Sequence, residues 1–311
     1  MMQAMIMSSV LSALLLGLFP VAADLPKDVS APLQEMRIAP PAENLTIHKR
    51  LSASGILVMD LTTGQTLFDS QGDIERPMAS LTKLMTALII VEHHQLDEWV
   101  PIPKVVTQTQ GSVAYLPEGE KFAVGDLLSA MLIASANDAA VALANFHSGS
   151  TEAFVKEMNA RAASLGLTGT QYANSSGLDD PRQWSTPRDL AILTSFVLKE
   201  PAIRERMGER GESITSRGGK TIQLAHTHAL LRAGAPGVMA GKTGTTGAAG
   251  QCLVSVVEKE GRQYVVVLLH SQQRYVDMKT VLANLLGNEG VPSTLPVEDT
   301  ECEPGGGCPT K

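Results

Sequence analysis

The stretch Met78-Ala-Ser-Leu-Thr-Lys-Leu-Met-Thr-Ala87 opens the segment that decides the fold of this 311-residue chain. From Ser80 to Val91, apolar residues occupy nearly every side of a predicted helix, and a helix that is apolar all round is a buried one. Lys83 interrupts this pattern in the middle of the helix. Ser80 lies three residues earlier, so the two side chains share one helix face. The pattern therefore predicts a polar pair inside an apolar core.

Ser80 and Lys83 allow two interpretations. Taken alone, Lys83 is a lysine whose stem is buried and whose ammonium reaches the surface. Together, the two residues meet the needs of nucleophilic catalysis, which are a base beside the hydroxyl and donors for the oxyanion. Ser80 stands at the helix start, where free N–H groups favour negative charge. It is also the only serine in the chain with a lysine three residues later.

Strand-like segments lie at both ends of the central part of the chain, and helical segments lie between them. The predicted strands are 55–60, 65–69, 238–242, 251–257 and 263–270, and the predicted helices cover 80–91, 124–144, 152–165, 187–199 and 275–286. Residues 124–144 are interrupted by polar side chains and predict two helices that meet at a polar junction, not a membrane span. We therefore predict an α+β domain whose sequence-distant strands pair in one mixed or antiparallel sheet flanked by helices.

Two further polar sites lie in apolar surroundings. Ser135 and Asn137 stand at the junction of the two helices, where each could simply cap backbone groups. Lys242, Thr243 and Gly244 end a predicted strand. A lysine there could be a charge that protects an edge strand from pairing. The sequence Gly-Lys-Thr is not a phosphate-binding loop, because Pro236 occupies the position of that motif's first glycine.

The three sites occur in the order Ser-x-x-Lys, Ser-x-Asn and Lys-Thr-Gly, which resembles the penicillin-binding proteins and serine β-lactamases. The chain is most similar to the low-molecular-mass serine-type D-alanyl-D-alanine carboxypeptidases and endopeptidases. The segments that carry this resemblance are 60–64, 78–87, 134–140, 176–178, 185–190 and 241–245. The resemblance covers essentially all of residues 51–288 and implies a single catalytic domain with the β-lactamase/transpeptidase-like fold.

The resemblance also implies catalytic roles. Ser80 is expected to be the nucleophile and Lys83 the general base, deprotonated near the cationic Lys242. Ser135 is expected to relay the proton to the leaving amine. Neither a metal nor a cofactor is expected.

Substrate binding is expected to involve the other motif residues. These are Asn137 for the substrate amide, Lys242 and Thr243 for the terminal carboxylate, Gly244, and Thr245, whose backbone N–H would form the oxyanion hole with that of Ser80. The expected partners are peptidoglycan stem peptides, with β-lactams as covalent inhibitors of Ser80.

Composition excludes some other classes of function. The net charge of −7 and an aromatic content of 4% do not suit a nucleic-acid-binding surface. Few aromatic residues also indicate that the cell wall is recognised through its peptide, not its sugar. His226 and His228 could supply at most half of a metal site. The favoured interpretation is that their side chains pack against other residues and carry no chemistry. Relatives often show Asn-Thr-Asn in place of the segment 226–228.

The ends of the chain differ from its body. Residues 1–23 resemble a secretory signal peptide without a basic start, which predicts export to the periplasm or another extracytoplasmic space. We predict a Pro-rich linker over 24–50, the catalytic domain over 51–290 and a flexible Pro/Gly-rich tail over 291–311. No stable membrane span is expected in the mature chain. Cys302 and Cys308 could form a disulfide in the tail, whereas Cys252 is expected to fill the core.

The sequence is compatible with four functions. A D-Ala-D-Ala carboxypeptidase on stem peptides is the main hypothesis, and a DD-endopeptidase that cuts crosslinks is the alternative. The small size of the chain is similar to that of the family's endopeptidase branch. A β-lactamase lacks support because no deacylating glutamate is found around residues 179–189 and position 136 is Ala. The fourth possibility is a non-catalytic penicillin-binding sensor.

Overall fold

The computed structural model describes residues 44–287. The predicted signal peptide, most of the predicted linker, the tail and the Cys302–Cys308 pair lie outside the described residues. Within residues 44–287, no helix has both the length and the apolar character needed to cross a bilayer. Cys252 lies in the core with no exposed surface, as predicted.

A five-stranded antiparallel sheet with the order β2-β1-β9-β8-β7 forms the centre of the fold. Its strands are β1 (Gly55–Asp60), β2 (Thr66–Ser70), β7 (Val238–Thr246), β8 (Gly250–Lys259) and β9 (Arg262–Ser271). Strand β1 pairs with β9 from Gly55 opposite Leu269 to Asp60 opposite Tyr264. This confirms the prediction that distant strands share one sheet, with every neighbouring pair antiparallel.

Helices cover both faces of this sheet. They are α1 (Lys83–His93), α2 (Lys104–Thr107), α3 (Val124–Leu132), α4 (Asn137–Ser148), α5 (Thr151–Ser164), α6 (Pro187–Val197), α7 (Pro201–Gly208), α8 (Ala229–Arg232) and α9 (Arg274–Leu286). In β1, Leu57 and Met59 belong to the core that contains α1, whereas Ile56 and Val58 belong to the core that contains α9. Both faces of the strand are buried, which explains its continuous apolar run.

Two small hairpins and three short helices were not predicted. The hairpins are β3 (Trp99–Pro101) with β4 (Lys121–Ala123), and β5 (Gly211–Thr215) with β6 (Thr221–Ala225). Three-residue strands are too short to show a period. Strand β5 is exposed at every position except Ile214, so it carries no apolar pattern. The helices missed are α2, α7 and α8, which are also short.

The packed domain extends slightly before residue 51. The Leu45 N–H donates to the Leu67 carbonyl at 2.9 Å, and Leu45 and Ile47 pack against the α9 side of the sheet. The Asp277 carboxylate of α9 accepts hydrogen bonds from both the backbone N–H and the hydroxyl of Ser52, at 2.8 and 2.7 Å. These contacts hold the last residues of the predicted linker on the domain.

Candidate active site

Ser80 lies in a 3-10 turn, Ala79–Thr82, that leads directly into α1. Two glycines allow this turn to sit deep in the fold. A Cβ on Gly177, which has φ +94°, would fall against the Ala79 carbonyl and 2.8 Å from the Ser80 nitrogen. A Cβ on Gly244 of β7 would lie 2.8 Å from the same nitrogen. The backbone of Ser80 is therefore held between β7 and the loop that contains Gly177.

Lys83 is the first residue of α1 and has no exposed surface. This rules out the interpretation of Lys83 as a surface lysine with a buried stem. Its Nζ lies 2.9 Å from Ser80 Oγ, and it donates to Asn137 Oδ1 at 2.6 Å and to the Ser176 carbonyl at 2.5 Å. The three partners come from three separate segments, so Lys83 links α1, the start of α4 and the loop before Gly177.

The surroundings of Lys83 favour its neutral form. Burial, followed by the charge of Lys242, holds the pKa of Lys83 well below its usual range, and Asp138 opposes this only in part. A neutral amine has two N–H groups and one lone pair. The Asn137 amide oxygen and the Ser176 carbonyl can only accept, so they take the two N–H groups. The lone pair then faces the Ser80 hydroxyl, as a general base requires.

Ser135 and Lys242 form a second polar pair next to the first. Ser135 adopts φ +59° at the junction between α3 and α4, and its Oγ accepts a hydrogen bond from Lys242 Nζ at 2.7 Å. Lys242 lies in the edge strand β7 but is completely buried, so it is not the exposed edge charge considered above. The ammonium is fixed because it also donates to the Thr243 carbonyl at 2.9 Å.

Arg274 is a residue of this site that the sequence analysis missed. Its Nη1 donates to the Gly244 carbonyl at 3.0 Å and to Thr245 Oγ1 at 2.8 Å. Burial and the nearby Arg274 charge lower the pKa of Lys242 to about 7. Arg274 lies in the first turn of α9, where a positive charge is unfavourable because of the helix dipole. This unfavourable position was the sequence feature that could have identified Arg274 as a residue of the site. Arg274 and the charged form of Lys242 make this end of the site positive, and a bound carboxylate would in turn favour the charged form of Lys242.

Asn137 has partners at both ends of its amide. Its Oδ1 accepts from Lys83, and its Nδ2 donates to the Gln110 carbonyl at 2.8 Å. The helix-capping interpretation of Ser135 and Asn137 is wrong, because α4 begins after Ala136 with no side-chain cap. The amide instead braces Lys83.

Asp138 is a second residue that the sequence analysis did not assign to the site. Its carboxylate accepts the backbone N–H groups of Ala114 at 3.0 Å and Leu116 at 3.1 Å. These bonds hold the loop of residues 110–116 over the start of α4. Asp138 therefore positions the loop whose Gln110 carbonyl binds Asn137.

Thr243 extends the site toward the two histidines. Its Oγ1 donates to Thr227 Oγ1 at 2.6 Å, and Thr227 stands between His226 and His228. Both histidines are completely buried, and His228 Nε2 lies 3.0 Å from Ser255 Oγ. Burial is the main cause that lowers the pKa of His226 to about 2 and that of His228 to about 3, so both are neutral. The packing interpretation is confirmed.

The eight residues singled out from the sequence meet in one place, although they come from three distant parts of the chain. Ser80 with Lys83 offers a nucleophile and a base, and Ser135 with Lys242 offers a proton donor and a fixed cation. Gly244 of β7 lies beside the Ser80 backbone, and Thr245 follows Gly244 in the same strand. Such a set of groups can carry out acyl transfer through a serine ester. Within residues 44–287, no three His, Cys, Asp or Glu side chains are placed to hold a metal ion.

Comparison with known proteins agrees with this chemistry. Residues 42–273 match the peptidase S11 family, described as D-alanyl-D-alanine carboxypeptidase, and the chain belongs to this family. The D-alanyl-D-alanine carboxypeptidase DacF of Bacillus subtilis is 34% identical over 221 residues, which are 70% of this chain and 57% of that protein. A D-alanyl-D-alanine endopeptidase of Pseudomonas aeruginosa is 33% identical over 218 residues, 69% of this chain and 70% of the relative.

Solved structures share the fold. The Streptomyces K15 DD-transpeptidase superposes with a TM-score of 0.71 at 29% sequence identity and covers 76% of this chain and 97% of its own. The predicted α+β fold of the transpeptidase type is thus confirmed. The match to DacF spans less than three fifths of that relative, so family membership leaves the reaction of this chain to be argued from its site.

Proposed function

We propose that this protein is a serine-type D-Ala-D-Ala carboxypeptidase that acts on peptidoglycan stem peptides and reacts covalently with β-lactams. The observation that carries the proposal is the arrangement around Lys83. Its Nζ lies 2.9 Å from Ser80 Oγ, while Asn137 and Ser176 take its other two hydrogen-bonding positions. A neutral lysine held in this way can accept the proton of the Ser80 hydroxyl.

Acylation follows from these positions. Ser80 Oγ forms a bond to the carbonyl carbon of the penultimate D-alanine, and its proton passes to Lys83 Nζ. The backbone N–H groups of Ser80 and Thr245 hold the oxyanion. The C–N bond then breaks, and the departing D-alanine takes up a proton through Ser135. The Ser135 hydroxyl keeps its hydrogen for this step because its oxygen accepts from Lys242 at 2.7 Å.

Deacylation completes the cycle. Water attacks the ester carbon, the C–Oγ bond breaks and Ser80 regains its proton. Lys242, Thr243 and Arg274 bind the terminal carboxylate of the substrate during acylation, since the Arg274 charge acts on Lys242 and a carboxylate placed between them favours the charged form of both. Asn137 Nδ2, which donates to the Gln110 carbonyl in the free protein, binds the carbonyl of the substrate amide when substrate is present.

The DD-endopeptidase reaction is the second candidate. It uses the same chemistry on a crosslinked peptide, and two observations favour considering it. The P. aeruginosa relative carries that name, and this chain matches 70% of its length, compared with 57% for DacF. The β-lactamase and the non-catalytic sensor have no comparable support.

Two assays test the proposal. The purified protein is incubated with pentapeptide muropeptides and, separately, with crosslinked dimers, and the products are separated by chromatography. Release of D-alanine from the pentapeptide supports the carboxypeptidase, whereas monomers from the dimers with intact pentapeptide support the endopeptidase. Labelled penicillin must modify the wild type and leave Ser80→Ala unmodified. Labelling of Ser80→Ala, or rapid catalytic turnover of a cephalosporin, contradicts the proposal.

Export belongs to the same proposal. A cell-wall substrate lies outside the cytoplasm, and residues 1–23 have the composition of a signal peptide. N-terminal sequencing of the secreted protein tests this, and a mature start at Asp24 is expected. An unprocessed start in the exported fraction contradicts it.

A further inference from the structure

Two histidines meet at the C-terminal ends of two helices whose first residues belong to the site. His94 directly follows α1, and His147 lies in the last turn of α4. His94 Nε2 and His147 Nδ1, the facing nitrogens, are 2.9 Å apart, which is a hydrogen-bond distance. At the other ends of the same helices, Lys83 donates to Asn137 at 2.6 Å. The histidine pair is therefore a second link between α1 and α4.

The other nitrogen of each ring, the outer nitrogen, faces a carboxylate. His94 Nδ1 lies 3.0 Å from Glu98 Oε2, and His147 Nε2 lies 2.7 Å from Glu157 Oε2. The histidine side chains are only 15% and 11% exposed, so water has little access to these contacts. The four side chains form one hydrogen-bonded chain that begins and ends with a carboxylate.

Both carboxylates are ionised and held in place. The hydrogen bond from His94 is the main cause that lowers the pKa of Glu98, and the bond from Ser148 is the main cause for Glu157. Glu98 Oε1 accepts the Gln95 N–H at 2.6 Å, and Glu157 Oε1 accepts the Ser148 hydroxyl at 2.7 Å. An ionised carboxylate can only accept hydrogen bonds, so both outer nitrogens must carry a hydrogen.

The number of hydrogens follows from these contacts. Two neutral imidazole rings have two ring hydrogens, and the carboxylates take both. The facing nitrogens of His94 and His147 would then oppose each other with one lone pair each, which is repulsive. One further hydrogen between them makes the contact a hydrogen bond. The pair then holds three hydrogens on four nitrogens and carries a single positive charge.

The surroundings of the pair favour one positive charge. Helices α1 and α4 both end here, and the C-terminal end of a helix attracts a cation. The ring of Phe146 lies 4.9 Å from that of His94, and the ring of Phe154 lies 5.8 Å from that of His147. Aromatic rings at these distances also attract a cation.

The neighbouring charged groups do not replace the shared hydrogen. The His93 ring lies 4.9 Å from the His147 ring, but its Nδ1 donates to the Ile89 carbonyl at 2.8 Å. Arg161 of α5 is paired with Glu92 of α1 through two hydrogen bonds, at 2.5 and 3.1 Å. A protonated His93 would oppose further charge on the pair, whereas the ion pair adds no net charge.

From the facing nitrogens, the two flanking carboxylates and the number of hydrogens, we infer that His94 and His147 share one proton and form a pH-sensitive clamp between the ends of α1 and α4. One proton closes the clamp. A second proton places a hydrogen on each facing nitrogen, so the two rings repel each other and the clamp opens. The clamp lies outside the candidate active site and does not depend on the reaction catalysed there.

NMR of the full chain with ¹⁵N-labelled histidine tests the number of hydrogens directly. Long-range proton–nitrogen spectra show which ring nitrogens carry hydrogen, and His94→Phe and His147→Phe assign the signals. At pH 7 both outer nitrogens should carry a hydrogen and the facing nitrogens should share a third. At pH 5 all four nitrogens should carry one. An outer nitrogen without hydrogen at pH 7, or two facing nitrogens without hydrogen, overturns the inference.

A double-mutant cycle tests the clamp itself. His94→Phe and His147→Phe keep an aromatic ring and remove the nitrogens. At pH 7 the two positions should be coupled by about 10-fold in the equilibrium constant for unfolding, because a hydrogen bond with a charged partner is lost. At pH 5 the coupling should fall below about 2-fold, because the clamp of the wild type is then open. All four proteins of the cycle keep His226 and His228, so the pH dependence of those residues cancels.

His48→Phe is the matched control, because His48 is an exposed histidine that precedes β1. A cycle between His48 and His147 should show no coupling at either pH. If His94 and His147 are uncoupled at pH 7, or equally coupled at pH 7 and pH 5, the inference is wrong.

Discussion

Gly177 is the position at which one added methyl group should have the largest effect on the site. Its backbone has φ +94°, and a Cβ there would overlap the Ala79 carbonyl and approach the Ser80 nitrogen to 2.8 Å. Both obstacles are backbone atoms, which cannot rotate away. Ser176, the preceding residue, supplies the carbonyl that binds Lys83. A shift of this loop therefore moves the nucleophile and its base together.

The cost of Gly177→Ala has two parts. The left-handed conformation costs a residue with a Cβ about 1 kcal/mol. Overlap with fixed backbone adds about 2 kcal/mol, as in an overpacked core. The free energy of unfolding should therefore fall by about 3 kcal/mol. Displacement of the reacting groups by about 1 Å should slow penicillin acylation by about 100-fold.

Gly166 provides a matched control. It also has a positive φ, +74°, but a Cβ there meets nothing within 4 Å. Gly166→Ala should lose only about 1 kcal/mol and acylate at the wild-type rate. Urea unfolding and stopped-flow acylation with a labelled penicillin measure both quantities. Equal losses of stability and equal acylation rates in the two variants would refute the close-approach argument.

Three further predictions concern pH dependence and hydrogen bonding. Lys242→Gln removes the charge that lowers the pKa of Lys83, so this pKa should rise. The acid limb of the acylation pH profile should then move to higher pH. If the midpoint of that limb does not move, the Lys242 charge does not act on Lys83. The pKa values of His226 and His228 are about 2 and about 3 in the folded protein, but about 6.5 in the unfolded chain. The unfolded chain therefore binds protons first as the pH falls. The free energy of unfolding should be highest above pH ~6.5 and decrease below it. Their combined loss between pH 7 and pH 5 is about 4 kcal/mol, and His228→Gln should halve this pH dependence in urea unfolding. Asp277→Ala removes four hydrogen bonds, at 2.6 to 2.8 Å, that join α9 to residues 52, 53 and 271. The free energy of unfolding should fall by about 3 kcal/mol. A loss below about 1 kcal/mol would show that these bonds contribute little.

The main elements of the fold were predictable because each is an apolar segment bounded by turn or polar residues. The apolar run after Ser80 predicted the buried helix α1, and the polar break near Ser135 predicted the boundary between α3 and α4. Strand β1 was predicted from its apolar run and the following turn. Hairpins such as β5–β6 were missed because their exposed residues are mostly polar and follow no apolar pattern.

The candidate site could be predicted only in part from the sequence. Motif order identified eight residues, but three interpretations of them failed once burial and hydrogen bonds were known. Lys242 is buried and is not an exposed edge charge. Lys83 does not reach the surface, and Asn137 does not cap its helix. Arg274 and Asp138 were not assigned, because a charged residue at a helix start has many ordinary explanations.

The sequence by itself determined which groups are available: a serine and a lysine on one helix face, and the order of the motifs that follow. Helix and strand periods depend on neighbours in the chain, so local residues are enough to predict them. The tertiary structure decided which of these groups meet. Lys83 reaches Asn137 across 54 positions, and Lys242 reaches Ser135 across 107. Contacts between residues so far apart in the chain form only when the sheet and the helices pack together. That same packing buries both lysines and lowers their pKa values.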